Sequence, residues 1–369
     1  IAAHGLSARR RLLVMLVSYV PFAHFVGLIA IGIALPAGPV WRLAAVLAAL
    51  YLLPALVARL IVKVFPIRST VLPVGSADFF AWWILLNLQM LFNRLPALDE
   101  ALRILGEVAP QDGRVLAGGQ SLVPIMAFRL AKPAHLVDIN EVEGLDRITS
   151  DGNILSIGAC VRHAAFHKPV VDNPLGRLLT TVARHIAHYP IRMRGTFCGS
   201  LAHADPASEW CLTAATLDAT IVARSTRGAR LIAAKDFFEG LMTTALAEDE
   251  LLAEVRLPLL TGDAKFGFNE FSRRAGDFAM SAALVTYRLD GGRIADAHVG
   301  VGGAEPHPRR IAEAEAALNG QAPGDAVFRA AADAAAEAVE AMEDHQTTAE
   351  YRRDLVRAVV RRALEHAGA

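Results

Sequence analysis

A long uncharged run near the start of the sequence limits what this chain can fold into. Residues 12–35 are 24 positions without Asp, Glu, Lys or Arg, preceded by Arg9, Arg10 and Arg11 and followed by Pro36. About 20 apolar residues are enough for a helix to cross a bilayer. A signal peptide is the alternative, but no small-residue cleavage site is evident after the run. The sequence therefore predicts a membrane-spanning helix here.

Two further apolar runs extend this pattern. Residues 43–58 form a second candidate span, which is followed by two basic residues whose long side chains can reach the lipid headgroups. Residues 79–92 (FFAWWILLNLQMLF) are too short to cross but rich in aromatic residues, as an interfacial helix is. Basic residues flank the first two runs, which places both ends of this hairpin on the cytoplasmic side. We therefore expect residues 1–95 to be apolar helices that contact the membrane through residues 1–92, with the rest of the chain on its cytoplasmic side.

The charge distribution argues against a nucleic-acid partner. Residues 1–95 hold eight Lys or Arg and one acid, for a net charge of +7, and the remaining residues hold 29 bases and 36 acids, for −7. The excess bases thus lie beside apolar runs rather than on a soluble domain, where a nucleic-acid binder carries them. Three cysteines, Cys160, Cys198 and Cys211, are too few for a disulfide framework or for a cluster held by four thiolates. We expect a reducing compartment and no metal ligands in this chain.

After residue 95 the sequence alternates short apolar runs, glycine turns and amphipathic helices, which is typical of an α+β chain. Turn residues at 260–263 divide it into one domain at 96–260 and another at 264–368. In the second domain two strand patterns are joined by Asp290, Gly291 and Gly292, a hairpin-type turn. The predicted helices cover residues 98–105, 175–187, 206–217, 310–318, 326–342 and 349–366, and the predicted strands cover residues 115–116, 135–139, 154–157, 220–223, 252–257, 282–289 and 294–301.

The first of two glycine-rich segments is residues 114–122 (RVLAGGQSL). A strand pattern runs into Gly118 and Gly119, and a helix pattern starts at Ser121. Glycine lets backbone N–H groups approach a phosphate without a Cβ in the way, and consecutive N–H groups form an anion site. The segment is neither a P-loop nor a G-x-G-x-x-G fingerprint. A pyrophosphate would fit there, although two glycines after a strand by themselves are more often only a tight turn.

The second glycine-rich segment, residues 192–206 (RMRGTFCGSLAHADP), follows about 80 residues later. Thr196, Gly199 and Ser200 offer close backbone approach and hydroxyl donors, beside two arginines. Together the two segments could hold the two phosphates of one dinucleotide. The alternative is a solvated turn in which Asp205 caps the helix that follows. No nucleophile pairs with the acidic or histidine side chains here, so the sequence indicates no catalytic residue.

The residues of both segments carry a resemblance to a known family. LAGGQSLVPIMAFRLAKPAHLVDIN, together with HYPIRMRGTFCGSLAHADPASEW, resembles the flavin-binding subunit of molybdenum hydroxylases, above all the medium subunit of aerobic carbon monoxide dehydrogenase. FSRRAGDFAMSAALVTYRLDGGRIADAHVGVGGAEPHPRR is similar to the small carboxy-terminal domain of the same subunits. The resemblance covers residues 96–368. It implies an α+β chain in which a PCMH-type (vanillyl-alcohol oxidase-like) FAD-binding domain precedes a small α+β CO dehydrogenase flavoprotein C-terminal domain.

The resemblance also implies a cofactor site, in which both loops wrap the FAD pyrophosphate. It points to Ala117, Gly118, Gly119, Gln120 and Ser121 in the first loop and to Thr196, Gly199, Ser200 and Asp205 in the second. The chain departs from the family pattern at Met193, where Asn is usual, and at Cys198, where Gly is usual. We therefore expect Cys198→Gly to tighten flavin binding. The short aromatic strand that opens such subunits is not recognisable before residue 96.

The function implied by the resemblance is that of an oxidoreductase subunit in a bacterial molybdenum hydroxylase of the carbon monoxide or xanthine dehydrogenase type. Its FAD would take electrons from iron–sulfur centres of a partner and pass them to quinone, NAD or another acceptor. The implied partners are a large subunit that binds the molybdenum cofactor and a small [2Fe–2S] subunit, in a hetero-oligomer.

Two alternatives to this function remain open. The first is a membrane-anchored adaptor with a degenerate flavin domain. The second is a fused membrane acyltransferase fragment, because residues 65–96 weakly resemble the membrane-proximal start of some bacterial acyltransferases. The sequence contains neither a His/Asp acyl-transfer motif nor hexapeptide repeats, which disfavours the second alternative.

Overall fold

A computed structural model describes residues 97–345 and 347–369. The apolar helices predicted for residues 1–95 lie outside the described residues, so their existence stays a prediction. Within the described ranges, no helix combines the length and the apolar character needed to cross a membrane. The buried side chains form two hydrophobic cores, one drawn mostly from residues 101–257 and one from residues 283–367.

A small layer of two helices and two parallel strands opens the described part. It consists of α1 (Leu98–Val108), β1 (Gly113–Leu116), α2 (Leu122–Ala127) and β2 (His135–Asp138). Helix α1 buries Leu102 and Leu105 because its apolar residues recur at the spacing of one helical face. β1 and β2 pair in parallel, so the chain must cross over between them, and α2 lies in this crossover. The glycines that follow β1 therefore lie beside the end of β2.

A five-stranded antiparallel sheet forms the centre of the first core. The five strands of this sheet are β3 (Ile148–Asp151), β4 (Ile154–Gly158), β5 (Thr220–Ser225), β6 (Gly228–Ala233) and β9 (Leu251–Pro258). Between β6 and β9 the chain forms a separate short hairpin of β7 (Phe238–Gly240) and β8 (Thr243–Thr244). The spatial order of the five is β3-β4-β9-β5-β6. β4 and β5 thus flank the same central strand, β9. The segment between them, which contains the second glycine loop, is anchored at both ends.

The segment between β4 and β5 is helical. Its helices are α3 (Pro174–Ala183), α4 (Tyr189–Arg192), α5 (Phe197–His203) and α6 (Glu209–Thr216). Every residue of α6 is buried. The rings of Phe166, Phe197 and Trp210 pack on one another with centroids 4.7–5.7 Å apart, in tilted arrangements that aromatic pairs favour. This cluster holds α5 against α6 and fixes the second glycine loop, which lies immediately before α5.

The second core lies under an antiparallel sheet covered by helices. Its elements are β10 (Lys265–Phe271), β11 (Ser281–Asp290), β12 (Arg293–Gly302), β13 (Arg309–Arg310), α7 (Ala312–Leu318), α8 (Asp325–Ala338) and α9 (Ala349–Gly368). The predicted hairpin is present, since β11 pairs with β12 and Asp290 lies opposite Arg293. The backbone N–H of Gly303, just after β12, donates to the carbonyl oxygen of Pro206 (2.7 Å), which joins this sheet to the segment before α6.

The helix predicted at residues 175–187 ends earlier, at Ala183. Beyond it the backbone turns at Ala187, whose φ is +41°. Nη1 of Arg192 donates to the carbonyl oxygens of both Ile186 and Ala187, at 2.7 Å each. The predicted helix is too long because the apolar pattern continues past Ala183. Arg192, which binds these carbonyl groups in the turn, lies outside that pattern and leaves no mark on it.

The helix predicted at residues 206–217 begins at Glu209, and the capping role predicted for Asp205 is wrong. Oγ of Ser208 accepts a hydrogen bond from a backbone N–H in the first turn of α6, so Ser208 is the N-cap. Oδ1 of Asp205 accepts from the N–H of Ala207 (2.9 Å) and stabilises a local turn instead. Two residues suited to capping stand close together here, and the sequence alone does not say which one faces the helix.

Candidate functional site

The two glycine loops lie in contact, although 76 positions separate Gly118 from Arg194. A Cβ placed on Gly118 would lie 2.3 Å from the carbonyl oxygen of Arg194 and 2.7 Å from Cα of Gly195. Because no side chain fits at such distances, Gly118 is the point where the backbone of the first loop touches that of the second. This contact gives Gly118 a tertiary role that an isolated turn would not require.

The first loop presents unpaired backbone donors. Gly119 has a φ of +71°, in the left-handed region that favours glycine, and its carbonyl oxygen accepts from the N–H of Val123 (3.2 Å). The N–H groups of Gly119 and Gln120 have no hydrogen-bond partner among the described residues. The side-chain amide of Gln120 donates to the carbonyl oxygen of Gly118 (3.2 Å). Consecutive unpaired N–H groups of this kind form an anion site.

The second loop leads into helix α5, which the sequence-based interpretation as a turn missed. Oγ1 of Thr196 accepts from the N–H of Gly199 (3.0 Å) and so caps the helix. A Cβ on Gly199 would lie 2.5 Å from that oxygen, so the cap requires a glycine there. The N–H of Gly199 is therefore engaged in the cap. Within the described residues, the hydroxyl groups of Thr196 and Ser200 donate to no acceptor, which leaves them free to donate to a ligand.

Both loops line one cavity of about 410 Å³. The eight predicted site residues that line it are Ala117, Gly118, Gly119, Gln120, Ser121, Thr196, Gly199 and Ser200. Asp205, the ninth, is absent from the lining, because its carboxylate belongs to the turn before α6. The structure therefore brings together eight of the residues that the resemblance pointed to and separates the last from them.

The cavity lining suits a diphosphate. A buried phosphate needs hydrogen-bond donors and cannot tolerate unpaired carboxylates, and the lining offers loop N–H groups and the hydroxyls of Ser121, Thr196 and Ser200. Two carboxylates also line the cavity. Glu250 forms an ion pair with Arg230 (Nη2–Oε2 2.6 Å), and Glu248 is exposed to solvent, so neither is a buried unpaired charge. In the part of the chain that the structure describes, no group of three or more His, Cys, Asp or Glu side chains could hold a metal ion.

His163 also lines the cavity, and sequence reasoning missed it. A Cβ on Gly195 would lie 2.4 Å from its Nε2, so the imidazole packs directly against the second loop. Burial, and after it the positive charges of Arg162 and Arg192, lower the pKa of His163 to about 4. The ring is therefore neutral at pH 7. A single buried histidine carries no local sequence signal, unlike a pair of histidines spaced as metal ligands.

Cys198, the departure from the family pattern in the second loop, directs its sulfur into the core. Sγ lies 3.4 Å from the carbonyl oxygen of Ile157 and 3.5 Å from that of Gly158, both in β4. Burial raises the pKa of this thiol well above its ordinary value, so it stays protonated. Cys198 lines the cavity, but its sulfur points away from it to these carbonyl groups, which weakens the steric reason for expecting tighter binding in Cys198→Gly. Met193, the other departure, is 45% exposed.

The sequence matches two families, one for each core. Residues 91–260 match the FAD binding domain in molybdopterin dehydrogenase. Residues 266–367 match the CO dehydrogenase flavoprotein C-terminal domain. The first match contains both glycine loops and the whole cavity lining.

Several characterised proteins are similar over the same part of the chain. The nicotine 6-hydroxylase medium subunit of Paenarthrobacter nicotinovorans is 39% identical over 260 residues, which cover 70% of this chain and 91% of that protein. The carbon monoxide dehydrogenase medium chain of Hydrogenophaga pseudoflava is 32% identical, over 74% of this chain and 95% of its own length. These relatives are matched along nearly their whole length.

Solved structures show the same likeness in three dimensions. Carbon monoxide dehydrogenase from Hydrogenophaga pseudoflava, in a form that lacks the Mo-pyranopterin moiety of its molybdenum cofactor, superimposes with a TM-score of 0.71 at 34% identity. The match covers 74% of this chain and 94% of the solved chain. Quinoline 2-oxidoreductase from Pseudomonas putida 86 gives a TM-score of 0.69 at 34% identity, over 73% and 94%.

Proposed function

Because this chain belongs to the family of FAD-binding subunits of molybdenum hydroxylases, we propose that it transfers electrons through a FAD held between its two glycine loops. Members of this family are subunits of oxidoreductases and bind FAD, so this chain is such a subunit with FAD as its cofactor. The observation that carries the proposal is the contact between Gly118 and the carbonyl oxygen of Arg194, which closes both loops around one donor-rich cavity.

Each part of the cavity has a task in this proposal. When bound, FAD supplies the electron-transfer chemistry, and the protein supplies binding and orientation. The N–H groups of Gly119 and Gln120 would hold one phosphate, and the hydroxyls of Thr196 and Ser200 would hold the other. Ser121 also lines the cavity. The neutral imidazole of His163 lines the cavity and packs against the second loop without adding a charge that titrates near pH 7.

The partners in this proposal are the two other subunits of a molybdenum hydroxylase. The relatives are named as medium subunits and medium chains, as expected of one component of a larger assembly. A large subunit with the molybdenum cofactor would oxidise the substrate, and a small [2Fe–2S] subunit would carry electrons to this chain. Relatives named for nicotine and for carbon monoxide share this type of subunit, so in this proposal another subunit determines which substrate the complex oxidises.

Co-production of the full chain with its large and small subunits tests the proposal. We expect the purified complex to contain one FAD per copy of this chain, measured by absorbance after release of the flavin. A folded complex that contains molybdenum and iron but no flavin would support instead the alternative of an adaptor with a degenerate flavin domain.

For the cellular location, we propose attachment to the cytoplasmic side of the membrane through residues 1–92. The support is the pattern of apolar runs and flanking arginines in the sequence. Such attachment would suit transfer of electrons to a quinone, which resides in the membrane.

A further inference from the structure

Two side chains outside the cavity connect the glycine loops. Nδ2 of Asn140 donates to the carbonyl oxygen of Ala117 in the first loop (2.8 Å). Oδ1 of Asn140 accepts from Nη2 of Arg162 (2.5 Å), and Nη1 of the same arginine donates to the carbonyl oxygen of Arg194 in the second loop (2.5 Å). A continuous path of hydrogen bonds, the Asn140–Arg162 strut, therefore runs from one loop to the other. Neither strut residue is part of the cavity lining.

The strut ends on the atom that defines how closely the loops approach. The carbonyl oxygen of Arg194, which accepts from Arg162, is the oxygen that packs against Gly118. The other end is also fixed, because Oδ1 of Asp138 accepts both from the backbone N–H of Asn140 (3.0 Å) and from its Nδ2 (2.5 Å). The strut therefore has little freedom at either end.

The backbone of Arg162 is attached to the second loop as well. Arg162 forms an isolated antiparallel bridge with Thr196. On either side of it, the N–H of His163 donates to the carbonyl oxygen of Gly195, and the N–H of Phe197 donates to that of Val161, both at 3.0 Å. The guanidinium thus starts from a backbone that already follows the second loop.

From this geometry we propose that Asn140 and Arg162 are positioning residues, which set the separation of the two loops to match the two phosphates of the FAD pyrophosphate. The proposal rests on the function proposed above. Neither side chain touches the cofactor in it, and both act through the carbonyl groups that they hold. A planar guanidinium can reach Asn140 and the carbonyl oxygen of Arg194 with two nitrogens at once, whereas a lysine ammonium on a flexible stem cannot reproduce this fork.

A continuous path of hydrogen bonds is lost when any one of its members is removed. Removal of either side chain breaks the connection between the loops, so the second removal has nothing further to break. Residues in one hydrogen-bond network are expected to be non-additive in this way. The effect should also depend on the ligand, because only a ligand with two phosphates needs both loops at a fixed separation.

The test uses the full chain in its complex, freed of flavin and titrated with FAD while flavin fluorescence is recorded. The variants are Asn140→Ala, Arg162→Lys and the double variant. Arg147→Gln is the matched control, since Arg147 is an exposed arginine whose recorded partner is Glu143 (3.5 Å). We expect each strut variant to weaken FAD binding about tenfold, the loss of one to two charge-assisted hydrogen bonds. The double variant should bind no worse than the weaker single variant, and Arg147→Gln should bind as the wild type does.

FMN, which carries one phosphate, separates positioning from general destabilisation. We expect the strut variants to lose affinity for FAD while their affinity for FMN stays within about twofold. Equal losses for both flavins would overturn the proposal, because they would indicate damage to the whole domain. Full FAD affinity in Arg162→Lys would overturn it too, since charge rather than geometry would then be sufficient. Losses that multiply in the double variant would also overturn it, because they would show two independent contributions.

The outcome also separates this inference from the function on which it rests. A wild-type complex that binds no FAD would remove the proposed function and the strut with it. A wild-type complex that binds FAD, with strut variants that bind it equally well, would remove the strut alone.

Discussion

The indole Nε1 of Trp210 donates a hydrogen bond to Nδ1 of His163 (2.9 Å), and both side chains are buried. Because Nδ1 accepts, the hydrogen of the neutral imidazole lies on Nε2, the atom that faces Gly195. Helix α6, which contains Trp210, is thereby coupled to the second glycine loop through a single histidine. The bond fixes which nitrogen is protonated as well as the orientation of the ring.

Removal of this donor should destabilise the domain. Trp210→Phe keeps an aromatic ring in the cluster with Phe166 and Phe197 but leaves Nδ1 of His163 buried without a partner. We expect the free energy of unfolding to fall by about 1–3 kcal/mol, the cost of an unsatisfied buried group, with a further loss from the smaller ring. Urea unfolding monitored by circular dichroism measures the change. Unaltered stability would mean that water or another group replaces the indole.

Gly118→Ala tests the contact between the loops. The added methyl group would meet the carbonyl oxygen of Arg194 at 2.3 Å, so the loops must separate. We expect FAD affinity to fall by at least about tenfold, or 1.4 kcal/mol. Gly262→Ala is the matched control, because nothing lies within 4 Å of a Cβ at Gly262. Equal flavin content in the two variants would show that the loops need not touch.

Glu209 should make the stability of the protein depend on pH. Burial, and after it the nearby carboxylates of Glu270 and Asp205, raise the pKa of Glu209 from 4.5 to about 8. Between these values the native state holds a proton that the unfolded state has lost. The free energy of unfolding therefore falls as the pH rises from about 4.5 to about 8, by at most about 1.4 kcal/mol per pH unit.

The window from pH 6.5 to 8 isolates the effect of Glu209. Below pH 6.5 the lowered pKa of His163 makes stability rise with pH instead. The unfolded state binds a proton there, whereas the native imidazole binds one only near pH 4. Urea unfolding across the window should show stability falling with pH in the wild type. Glu209→Gln should reduce that fall. A variant that keeps the full slope would assign it to another group.

Cys198→Gly should weaken the fold and leave flavin binding nearly unchanged. The thiol packs against the carbonyl groups of Ile157 and Gly158, and glycine would leave a gap and loosen the first turn of α5. We expect a loss of about 1–3 kcal/mol in the free energy of unfolding and a FAD dissociation constant within about twofold of the wild type. Clearly tighter FAD binding would restore the expectation drawn from the family pattern.

The proposed membrane attachment predicts that the full chain sediments with membranes and resists a high-salt wash. Salt screens a basic patch but not an apolar anchor. Deletion of residues 1–92 should release the chain to the soluble fraction with its flavin content unchanged. A full chain that stays soluble and monomeric without detergent would contradict the attachment.

The regular elements of the second core could be predicted because their signals are local. Alternating apolar residues and a two-glycine turn identify the hairpin of β11 and β12, and alanine with its high helix propensity identifies α8. Element bounds failed where a distant or competing side chain decided them. Arg192 binds the carbonyl groups of Ile186 and Ala187 beyond the end of α3, and Ser208 rather than Asp205 is the N-cap of α6.

The sequence indicates which residue types form the site, but not how the structure arranges them. The glycines and hydroxyls of both loops are visible in the sequence, and the family resemblance supplied their ligand. Helix α5 was not visible, because it is short and contains a glycine that only the cap of Thr196 explains. The pairings of Trp210 with His163 and of Asn140 with Arg162 join residues 47 and 22 positions apart, and no local pattern encodes such pairs.

The contact between Gly118 and Arg194 also has a consequence for the order of events during synthesis. The first loop leaves the ribosome 76 residues before its counterpart, which at about 5–20 residues per second is a delay of roughly 4–15 seconds. Throughout that interval the nascent chain contains only the first of the two loops that line the cavity. With FAD placed between the loops as proposed, the cofactor would be captured only after Arg194 has emerged, and a truncated product that ends before Arg194 would not bind flavin.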